Sequence, residues 1–304
     1  MDRRAHRFGR ALLLPRDARS IPVNRGHAWG DASARTLMGS GLPMEGKAET
    51  MYLLQYGQEP VPKRISVRGA GKELLWEPII GIVVKTTIGW VLLESGIGRQ
   101  VLDDAEALKV LYPGEDKPWG LSGDPLTTAL AGVGLTVSDI KLAAVSHLHC
   151  DHSGGVPKLA GAGVPICIQR EELEFALERA STVDGYYPAD FVRAADWREL
   201  DGDAEIAPGI HALSTPGHAP GHMSYRVDLH QSGPWLFAVD AADLGENFID
   251  RKPPGQTVLP GDVVRAEASL DRLLDESKRL NARLVPGHDQ LFWTAIRHPL
   301  GGYH

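Results

Sequence analysis

The sequence is poor in cysteine and has no long apolar run. Its two cysteines, Cys150 and Cys167, are too few for a disulfide framework, so we expect free, buried thiols in a reducing compartment. No apolar run approaches the roughly 20 residues that a transmembrane helix needs. The sequence therefore argues against a disulfide-rich secreted protein and a helical membrane protein. It favours a soluble, cytoplasmic protein that does not act at a membrane.

Positive charge is also scarce. The 32 Lys and Arg residues are outnumbered by 39 Asp and Glu residues, which leaves a formal net charge of −7. No dense cluster of Lys and Arg is present that would neutralise a run of phosphates, so nucleic acid is not an expected partner. The chain of 304 residues is 43% hydrophobic and can bury a large core. We therefore expect a globular protein whose partner is a small molecule.

The first 50 residues differ from the rest of the chain. Residues 1–19 carry arginines around an apolar patch at 11–14, which is shorter than the roughly 7–15 residues of a signal-peptide core. Up to about residue 42 the chain is rich in Arg, Gly, Ser and Ala without sustained periodicity. We predict that residues 1–50 form a disordered or extended segment and that residues 51–304 form one folded domain.

The folded part alternates strand patterns with helical ones. Helices are predicted at 124–132, 171–180 and 262–280, and strands at 51–55, 64–68, 78–87, 90–94, 142–146, 165–169, 210–214, 223–229, 235–239 and 283–285. Grouped strands with helices between them are typical of an α/β protein in which two packed sheets are covered by helices on both outer faces. Residues 186–197 are rich in aromatics, and we expect them to form a pocket wall. The apolar strand near Met51 suits either the core or the face of a homodimer.

A cluster of polar residues follows the predicted buried strand at 142–146. It places three histidines and one aspartate within six positions: His147, His149, Asp151 and His152. The first two histidines point the same way, because side chains alternate along an extended chain, and the following loop brings the other two residues round to a second position. Imidazole and carboxylate ligands suit zinc, manganese or iron. Idle surface residues would not explain this density, so the pattern predicts a metal site.

Four residues cannot complete two metal sites, and three further candidates follow strands later in the chain. His218 lies in the turn Thr-Pro-Gly-His, and His288 lies in a second Pro-Gly-His turn. Asp240 ends an apolar strand, where a buried acid needs a cation or a hydrogen-bond partner. His222 is predicted to support the site from outside rather than to bind a metal.

Taken together, the His-x-His-x-Asp-His run, the two turns and the strand-ending Asp240 resemble the metallo-β-lactamase superfamily, from about Met51 to the C-terminus. The resemblance implies a four-layer αβ/βα sandwich and a hydrolase with two metal ions. Within the superfamily, residues 186–197, the run Asp201-Gly202-Asp203 and the Pro-Gly-His turn resemble the N-acyl homoserine lactonases. The resemblance implies that Asp240 bridges two ions, one held by His147, His149 and His218 and the other by Asp151, His152 and His288.

Two divalent ions, zinc before manganese or iron, would hold a bridging hydroxide at neutral pH, because each ion lowers the pKa of the bound water. We predict that this hydroxide opens a lactone similar to an acyl homoserine lactone, or cleaves a related carboxylic ester, while one ion stabilises the oxyanion. Asp151 and Asp240 are the candidate proton relays. The expected substrate is small and partly apolar.

Two positions depart from the patterns of these families. The lactonases usually carry a Tyr three residues after the bridging Asp, where this chain has Asp243. Asp243 would either donate a proton, if its pKa is raised, or be a solvated surface carboxylate. Tyr186, Tyr187 and Trp90 are candidates to replace the contact of the missing phenol, but aromatics of this kind more often pack the pocket. The superfamily also often has Asp-Thr-Gly where this chain has Glu94-Ser95-Gly96.

Two alternative functions stay open. Thioester hydrolases of the hydroxyacylglutathione hydrolase type share the scaffold, although Arg297 and His298 are the few basic residues near the C-terminus that would bind glutathione. The second alternative is a non-catalytic, metal-binding member of the fold, against which the complete set of predicted ligands argues. Cys150 lies inside the metal motif, and we expect it to be a structural thiol rather than a ligand.

Overall fold

The computed structural model describes residues 46–191 and 195–304 of the chain. The strands are β1 (Thr50–Pro62), β2 (Leu74–Thr86), β3 (Gly89–Leu93), β4 (Trp119–Gly120), β5 (Ile140–Ala144), β6 (Ile166–Gln169), β7 (Trp197–Leu200), β8 (Ala204–Ala207), β9 (Ile210–Ser214), β10 (Met223–Leu229), β11 (Gly233–Phe237) and β12 (Arg283–Val285). The α-helices are α1 (Lys63–Ser66), α2 (Arg99–Leu102), α3 (Ala105–Leu111), α4 (Pro125–Gly132), α5 (Cys150–Ser153), α6 (Val156–Gly161), α7 (Arg170–Glu178), α8 (Gly245–Asp250), α9 (Val263–Leu280) and α10 (Gln290–Ala295). Up to position 45, the predicted N-terminal segment lies outside the described residues.

The strands form two sheets of different size. Seven strands pair in the order β4-β1-β2-β3-β5-β6-β7, and five pair in the order β12-β11-β10-β9-β8. In the larger sheet β3, β5, β6 and β7 are parallel, and in the smaller sheet β11 and β12 are parallel. Loops that follow parallel neighbours leave the sheet at the same edge. The chain segments that follow β5, β11 and β12 can therefore lie close together.

Apolar side chains fill three layers around these sheets. Successive residues of β2 alternate between two of the layers, because neighbouring side chains in a strand point to opposite faces. Val83 packs under the helices that cover the larger sheet, whereas Ile82 packs between the sheets against residues such as Trp235. On the outer face of the smaller sheet, Leu270 and Leu273 of α9 form the third layer. The predicted four-layer αβ/βα sandwich is confirmed.

The prediction of a strand at 64–68 is wrong. The alternation of Ile65 and Val67 resembles a strand, but a four-residue pattern also fits one helical turn. Here Pro62 caps α1, and the Val67 amide donates to the carbonyl of Lys63 and closes that turn. Met51 is fully buried within the chain, which confirms the core interpretation of its strand. Among the described residues, none of the helices has the length and apolar character that crossing a bilayer requires.

Candidate metal centre

The predicted ligands converge beyond the ends of four strands. The run that begins with His147 follows β5, His218 follows β9, Asp240 follows β11 and His288 follows β12. All seven predicted ligand residues are buried, with at most 8% of the residue surface exposed. Their ligand atoms form two groups, each with members within 4.8 Å of one another. The sequence therefore brings together every residue that the motifs singled out.

His147, His149, His218 and Asp240 form the first group. Nε2 of His218 lies 3.1 Å from Nδ1 of His149 and 3.3 Å from Oδ2 of Asp240. Nε2 of His147 lies 3.8 Å from the same carboxylate oxygen. Three imidazoles and one carboxylate oxygen thus surround a single point.

Asp151, His152 and His288 form the second group. Oδ2 of Asp151 lies 2.8 Å from Nε2 of His152 and 3.9 Å from Nε2 of His288. The other oxygen of Asp240, Oδ1, lies 3.2 Å from His152 Nε2 and 3.0 Å from His288 Nε2. Asp240 therefore presents one oxygen to each group, which is the geometry of a bridging carboxylate.

The hydrogen-bonding pattern of the histidines fits two divalent metal ions. The outer nitrogen of His147, Nδ1, is 2.9 Å from Ser146 Oγ, and that of His288 is 2.9 Å from the carbonyl oxygen of Pro78. The inner nitrogen of His147, Nε2, is buried and has no hydrogen-bond partner in the described part of the chain. Leaving such a nitrogen unsatisfied costs roughly 1–3 kcal/mol. A metal ion would satisfy it, and nitrogen with carboxylate oxygen is a donor set that zinc accepts.

In the first group the electrostatics favour metal-binding protonation states, whereas in the second group the nearby carboxylates outweigh burial and hold the pKa of His152 and of His288 well above the usual value. Burial and the neighbouring His152 lower the pKa of His147 well below its usual value, and burial with the nearby His218 lowers the pKa of His149 to about 3. Both imidazoles are therefore neutral, as a metal ligand must be. Burial by itself would raise the pKa of Asp240, but the surrounding histidines outweigh burial and hold this pKa well below its usual value. Asp240 stays ionised.

Glu94 supports His152 from outside the centre. Its Oε2 lies 2.5 Å from Nδ1 of His152, and its Oε1 accepts hydrogen bonds from the Ser146 amide at 2.8 Å and the Tyr225 hydroxyl at 2.6 Å. The residue adopts a φ of 65°, a region that non-glycine residues seldom occupy. A partner on Nδ1 fixes the ring so that Nε2 faces the centre. The sequence shows the departure from Asp at this position, but it does not show this contact.

Glu172 of α7 was missed by sequence reasoning, because a Glu among charged helix neighbours gives no signal of burial. It is fully buried, and its Oε1 accepts hydrogen bonds from the Leu148 amide at 3.0 Å and the Tyr186 hydroxyl at 2.9 Å. Its Oε2 accepts one from the Gly221 amide at 3.1 Å. Glu172 thereby joins the loop that carries His149 to the turn after His218.

Two glycines of the motifs permit close backbone approaches. A Cβ on Gly154 would collide with the backbone nitrogen of Gly98. Gly217, in the Thr-Pro-Gly-His turn, has a φ of 143°, and a Cβ there would collide with the backbone of Ala266 on α9. Only glycine combines that conformation with that contact. These residues seat the ligand-bearing loops against the scaffold.

His222 lies outside both groups. Its Nε2 accepts a hydrogen bond from the backbone amide of Asp240 at 3.1 Å, and its Nδ1 lies 3.0 Å from Thr215 Oγ1. The ring therefore holds the backbone of Asp240 in place. This arrangement matches the predicted supporting role.

A cavity of about 290 Å³ opens onto the centre. His149, Asp151, Asp240 and His288 form part of its lining. The remainder comes largely from the end of β1 and from residues 111–116. A small molecule in this cavity would therefore touch both groups of predicted ligands.

Of the predicted pocket wall at 186–197, residues 186–191 and 195–197 do not line the cavity, and residues 192–194 lie outside the described part of the chain. Tyr186 is fully buried, with its ring centroid 4.7 Å from that of His149. The hydroxyl of Tyr187 donates to Asp104 at 3.0 Å. The ring of Trp90 lies 5.9 Å from that of Tyr52, tilted by 35°, and Trp90 is also absent from the lining. These aromatic side chains pack against the rest of the protein and do not contact a substrate in the cavity.

Asp243 lines the cavity and is only 4% exposed, so its interpretation as a surface carboxylate is wrong. Its Oδ1 is buried and has no hydrogen-bond partner among the described residues. Burial, with the negative charge of Asp240 beside it, raises the pKa of Asp243 well above its usual value. A protonated carboxyl in contact with the cavity is chemically able to donate a proton.

Residues 81–288 match the family described as the metallo-β-lactamase superfamily, which is more than half of the chain. Together with the two groups of ligand atoms, this match shows that the chain belongs to the metallo-β-lactamase superfamily. The resemblance inferred from the motifs is confirmed.

More particular similarities point to one branch of that superfamily. An N-acyl homoserine lactonase of Bacillus thuringiensis is 31% identical over 218 residues, which cover 71% of this chain and 83% of the relative. The N-acyl homoserine lactonase AttM of Agrobacterium fabrum is 28% identical over 268 residues, covering 81% of this chain and 95% of the relative. A crystal structure of an N-acyl homoserine lactone hydrolase, with the product N-hexanoyl-L-homoserine at its catalytic metal centre, has a TM-score of 0.74 at 27% identity and covers 83% of this chain and 97% of that one.

Proposed function

We propose that this protein is a lactonase that opens acyl homoserine lactones or closely related lactones with two zinc ions. One observation carries the proposal: Asp240 directs one oxygen to each of two histidine-rich groups at the lining of a cavity. The similarity to proteins named as N-acyl homoserine lactonases supports the choice of a lactone as the substrate.

In this proposal each residue of the centre has a defined role. His147, His149 and His218 would hold one ion and Asp151, His152 and His288 the second, and Asp240 would offer one carboxylate oxygen to each. When bound, such ions activate water as a nucleophile and polarise the substrate carbonyl. Glu94, Glu172 and His222 keep the ligand-bearing loops and rings in their orientations.

The chain's own acids manage the protons of ring opening. Hydrolysis adds the oxygen of water to the carbonyl carbon, breaks the ring C–O bond and leaves a hydroxyl that needs a proton. Asp151 and Asp240 are placed to accept the proton that the water loses. Asp243 reaches the same cavity, and its raised pKa suits donation to the leaving ring oxygen. It thereby stands where the relatives' pattern has a Tyr.

A cytoplasmic location belongs to the same proposal. Cys150 and Cys167 are both free and buried, and burial raises the pKa of each thiol. Unreactive, unpaired thiols suit a reducing compartment.

The experiment is hydrolysis of N-hexanoyl homoserine lactone, an aryl ester and a glutathione thioester by zinc-loaded protein, with bound metal counted in the same sample. We expect two equivalents of metal, preference for the lactone, and a loss of about a thousand-fold in kcat/KM for His149→Ala, since a ligand contributes several kcal/mol to the transition state. His230→Ala, an exposed histidine, is the matched control and should be unchanged. A protein that binds two metals and prefers the thioester would contradict the proposed substrate, and one that binds none would contradict the mechanism.

A further inference from the structure

Two buried residues beside the metal centre have a left-handed backbone. Among the residues that the structure describes, four that are not glycine have a positive φ. Arg251 and Asn281 directly follow α8 and α9, and helices commonly end in this conformation. The other two are Glu94, with a φ of 65°, and Val239, with a φ of 51°. The two cases that no helix end explains therefore both lie at the metal centre.

Val239 is the more unusual of the two. A β-branched side chain at positive φ is rare, because the branch crowds the backbone of its own residue. A left-handed residue other than glycine makes folding less favourable by a factor of about 5–150. The Val239 side chain is buried in the apolar layer between the two sheets, and this burial opposes the cost. The fold therefore keeps Val239 in a conformation that valine itself disfavours.

The conformation of Val239 sets the direction of Asp240, which follows it in the chain. With the φ of about −63° that is usual in helices, the chain beyond the N–Cα bond of Val239 would be rotated by roughly 110°. Here Oδ2 of Asp240 lies 3.3 Å from Nε2 of His218, and Oδ1 lies 3.0 Å from Nε2 of His288. A rotation of that size would take the carboxylate away from at least one of the two groups. The left-handed turn therefore lets Asp240 reach both.

Gly287, in the last Pro-Gly-His turn, lies directly against the backbone of Val239. A Cβ on Gly287 would be 2.5 Å from the carbonyl oxygen of Val239 and 2.8 Å from its carbonyl carbon. Both are backbone atoms, so a side chain fits only if one of the two turns moves. The Gly287 amide also donates to the carbonyl of Ala242 at 3.0 Å, and the His288 amide donates to that of Asp243 at 2.8 Å. The turns after β11 and β12 thus form one packed unit.

We propose that Val239 and Gly287 are positioning residues, which set the separation of the bridging carboxylate and His288 before any metal binds. Val239 directs Asp240, and Gly287 lets the two turns approach until Oδ1 of Asp240 and Nε2 of His288 are 3.0 Å apart. Ligands that the fold already holds in place lose less freedom on binding and so bind more tightly. The inference rests on the two-metal centre of the proposed function and is independent of the bond that is cleaved.

The first test is Gly287→Ala, whose added methyl group would force the two turns apart. We expect the second equivalent of zinc to bind about 10–100-fold more weakly and the first equivalent to be affected less, because three histidines of the first group lie on other loops. Competition with a coloured chelator measures both affinities. Gly161→Ala, at the end of α6, is the matched control and should change neither, since a Cβ there meets nothing within 4 Å. Wild-type affinity for both equivalents in Gly287→Ala would overturn the inference.

The second test measures the conformation of residue 239 in the metal-free protein. Val239→Gly and Val239→Ala both remove the buried branched side chain, but only glycine adopts a positive φ without a steric cost. At negative φ alanine is the more stable of the two, because glycine has more freedom to lose on folding. Denaturant titration should show the reverse order here, with a folding equilibrium constant about fivefold higher for Val239→Gly. If Val239→Ala is the more stable variant, the inference is wrong.

The third test combines the two positions in one protein. In Val239→Gly with Gly287→Ala, the freed backbone at position 239 can move away from the added methyl group. We therefore expect the affinity for the second zinc ion to recover about tenfold from that of Gly287→Ala. Val239→Ala with Gly287→Ala removes the branched side chain but keeps the steric restriction, so it should not recover. Recovery in both double variants or in neither would contradict a shared role of the two residues.

The three tests can fail separately from the proposed function, because none of their readouts uses a lactone. If two zinc ions bind and the variants behave as expected while no lactone is cleaved, the proposed substrate is wrong and the positioning role stands. If lactones are cleaved and Gly287→Ala binds both zinc ions like the wild type, only the positioning role is wrong.

Discussion

The metal centre and the Glu59–Glu77 pair, which faces it across β1 and β2, contain the same chemical group in two different states. Asp240 in the centre and Glu77 in the pair are both buried carboxyls that line one cavity. Neighbouring histidines hold the pKa of Asp240 well below its usual value, whereas burial raises the pKa of Glu77 to about 7 despite the nearby His288. Burial is common to both, so the number and distance of positive neighbours decide the outcome.

The comparison teaches how to interpret buried acids in a site. Asp240 has four imidazoles within 3.8 Å of its oxygens, so the protein supplies its partners and leaves a place for metal ions. Glu59 and Glu77 have one hydroxyl partner each, and burial raises the pKa of both carboxyls above the usual value. An acid surrounded by ligands belongs to the catalytic machinery.

Removal of the metals should produce the largest difference between the two regions. We expect chelation to lower the free energy of unfolding by about 4 kcal/mol for each site held at a thousand times its dissociation constant. The reason is that seven buried donors lose their shared partner. Calorimetric unfolding before and after dialysis against a chelator measures the effect. Chelation should lower the free energy of unfolding of Glu77→Gln by the same amount, because Glu77 is in neither group of ligand atoms. Equal melting temperatures with and without metal would contradict the assignment of the centre.

Glu94→Gln should affect the centre alone. The change removes the charged acceptor of His152 Nδ1. It also places the new amide NH₂ group against a group that now donates a hydrogen bond to Glu94. We therefore expect the metal affinity to fall about 10–100-fold. Competition with a coloured chelator measures this affinity. Tyr225→Phe, which deletes one donor to Glu94 and keeps the carboxylate, is the matched control and should weaken metal binding less. An unchanged affinity in Glu94→Gln would mean that this contact does not orient His152.

Glu172→Gln should weaken the scaffold that both regions share. The variant places an NH₂ group against the donors of Leu148, Tyr186 or Gly221, and an unsatisfied buried donor costs about 1–3 kcal/mol. Chemical denaturation of the metal-loaded protein measures the loss. Glu171→Gln, one residue away in an exposed ion pair with Arg265, should change stability by less than about 1 kcal/mol. Similar losses in both variants would rule out a special role of Glu172.

The pH dependence of Asp190 should be the smallest of these effects. Burial raises the pKa of Asp190 to about 7, although Gln100 and Ser153 donate hydrogen bonds to it. Because the folded-state pKa lies above the unfolded one, the folded protein binds the extra proton, and stability falls as pH rises from about 4 to about 7. Between pH 6 and pH 8 the wild type should lose about 1 kcal/mol relative to Asp190→Asn. Denaturant titrations at both pH values measure the difference; a constant gap would show that Asp190 does not titrate in this range.

The metal centre was predictable from the sequence because its information is local. Four ligands stand within six residues after one strand, and the others mark the ends of strands with turns that contain glycine. The apolar strand and helix periodicities that place those turns are local as well, and β9, β10 and β12 have the predicted bounds. The two-layer division of the sheets then follows from alternation along strands such as β2.

The Glu59–Glu77 pair was not predictable, because it depends on the register of β1 and β2. Glu59 and Glu77 become neighbours only when β1 and β2 pair, and nothing in either strand alone sets that alignment. Tyr186 shows a second limit of prediction from sequence. An aromatic residue in an irregular segment suggests a pocket, but in the folded chain the Tyr186 hydroxyl donates a hydrogen bond to Glu172. Long-range pairing and buried hydrogen bonds are properties of the folded chain, and a single sequence does not display them.

The order in which the ligands occur along the chain has a consequence for biosynthesis. During synthesis His147 and His149 emerge from the ribosome well before Asp240. His288 emerges later still, because it follows the last strand, β12. A nascent chain therefore holds an incomplete set of donors until the smaller sheet has been made almost in full. Both ions can therefore be bound only late in synthesis. The metal content of the protein in a cell measures the share of chains whose two sheets have been synthesised and have packed together.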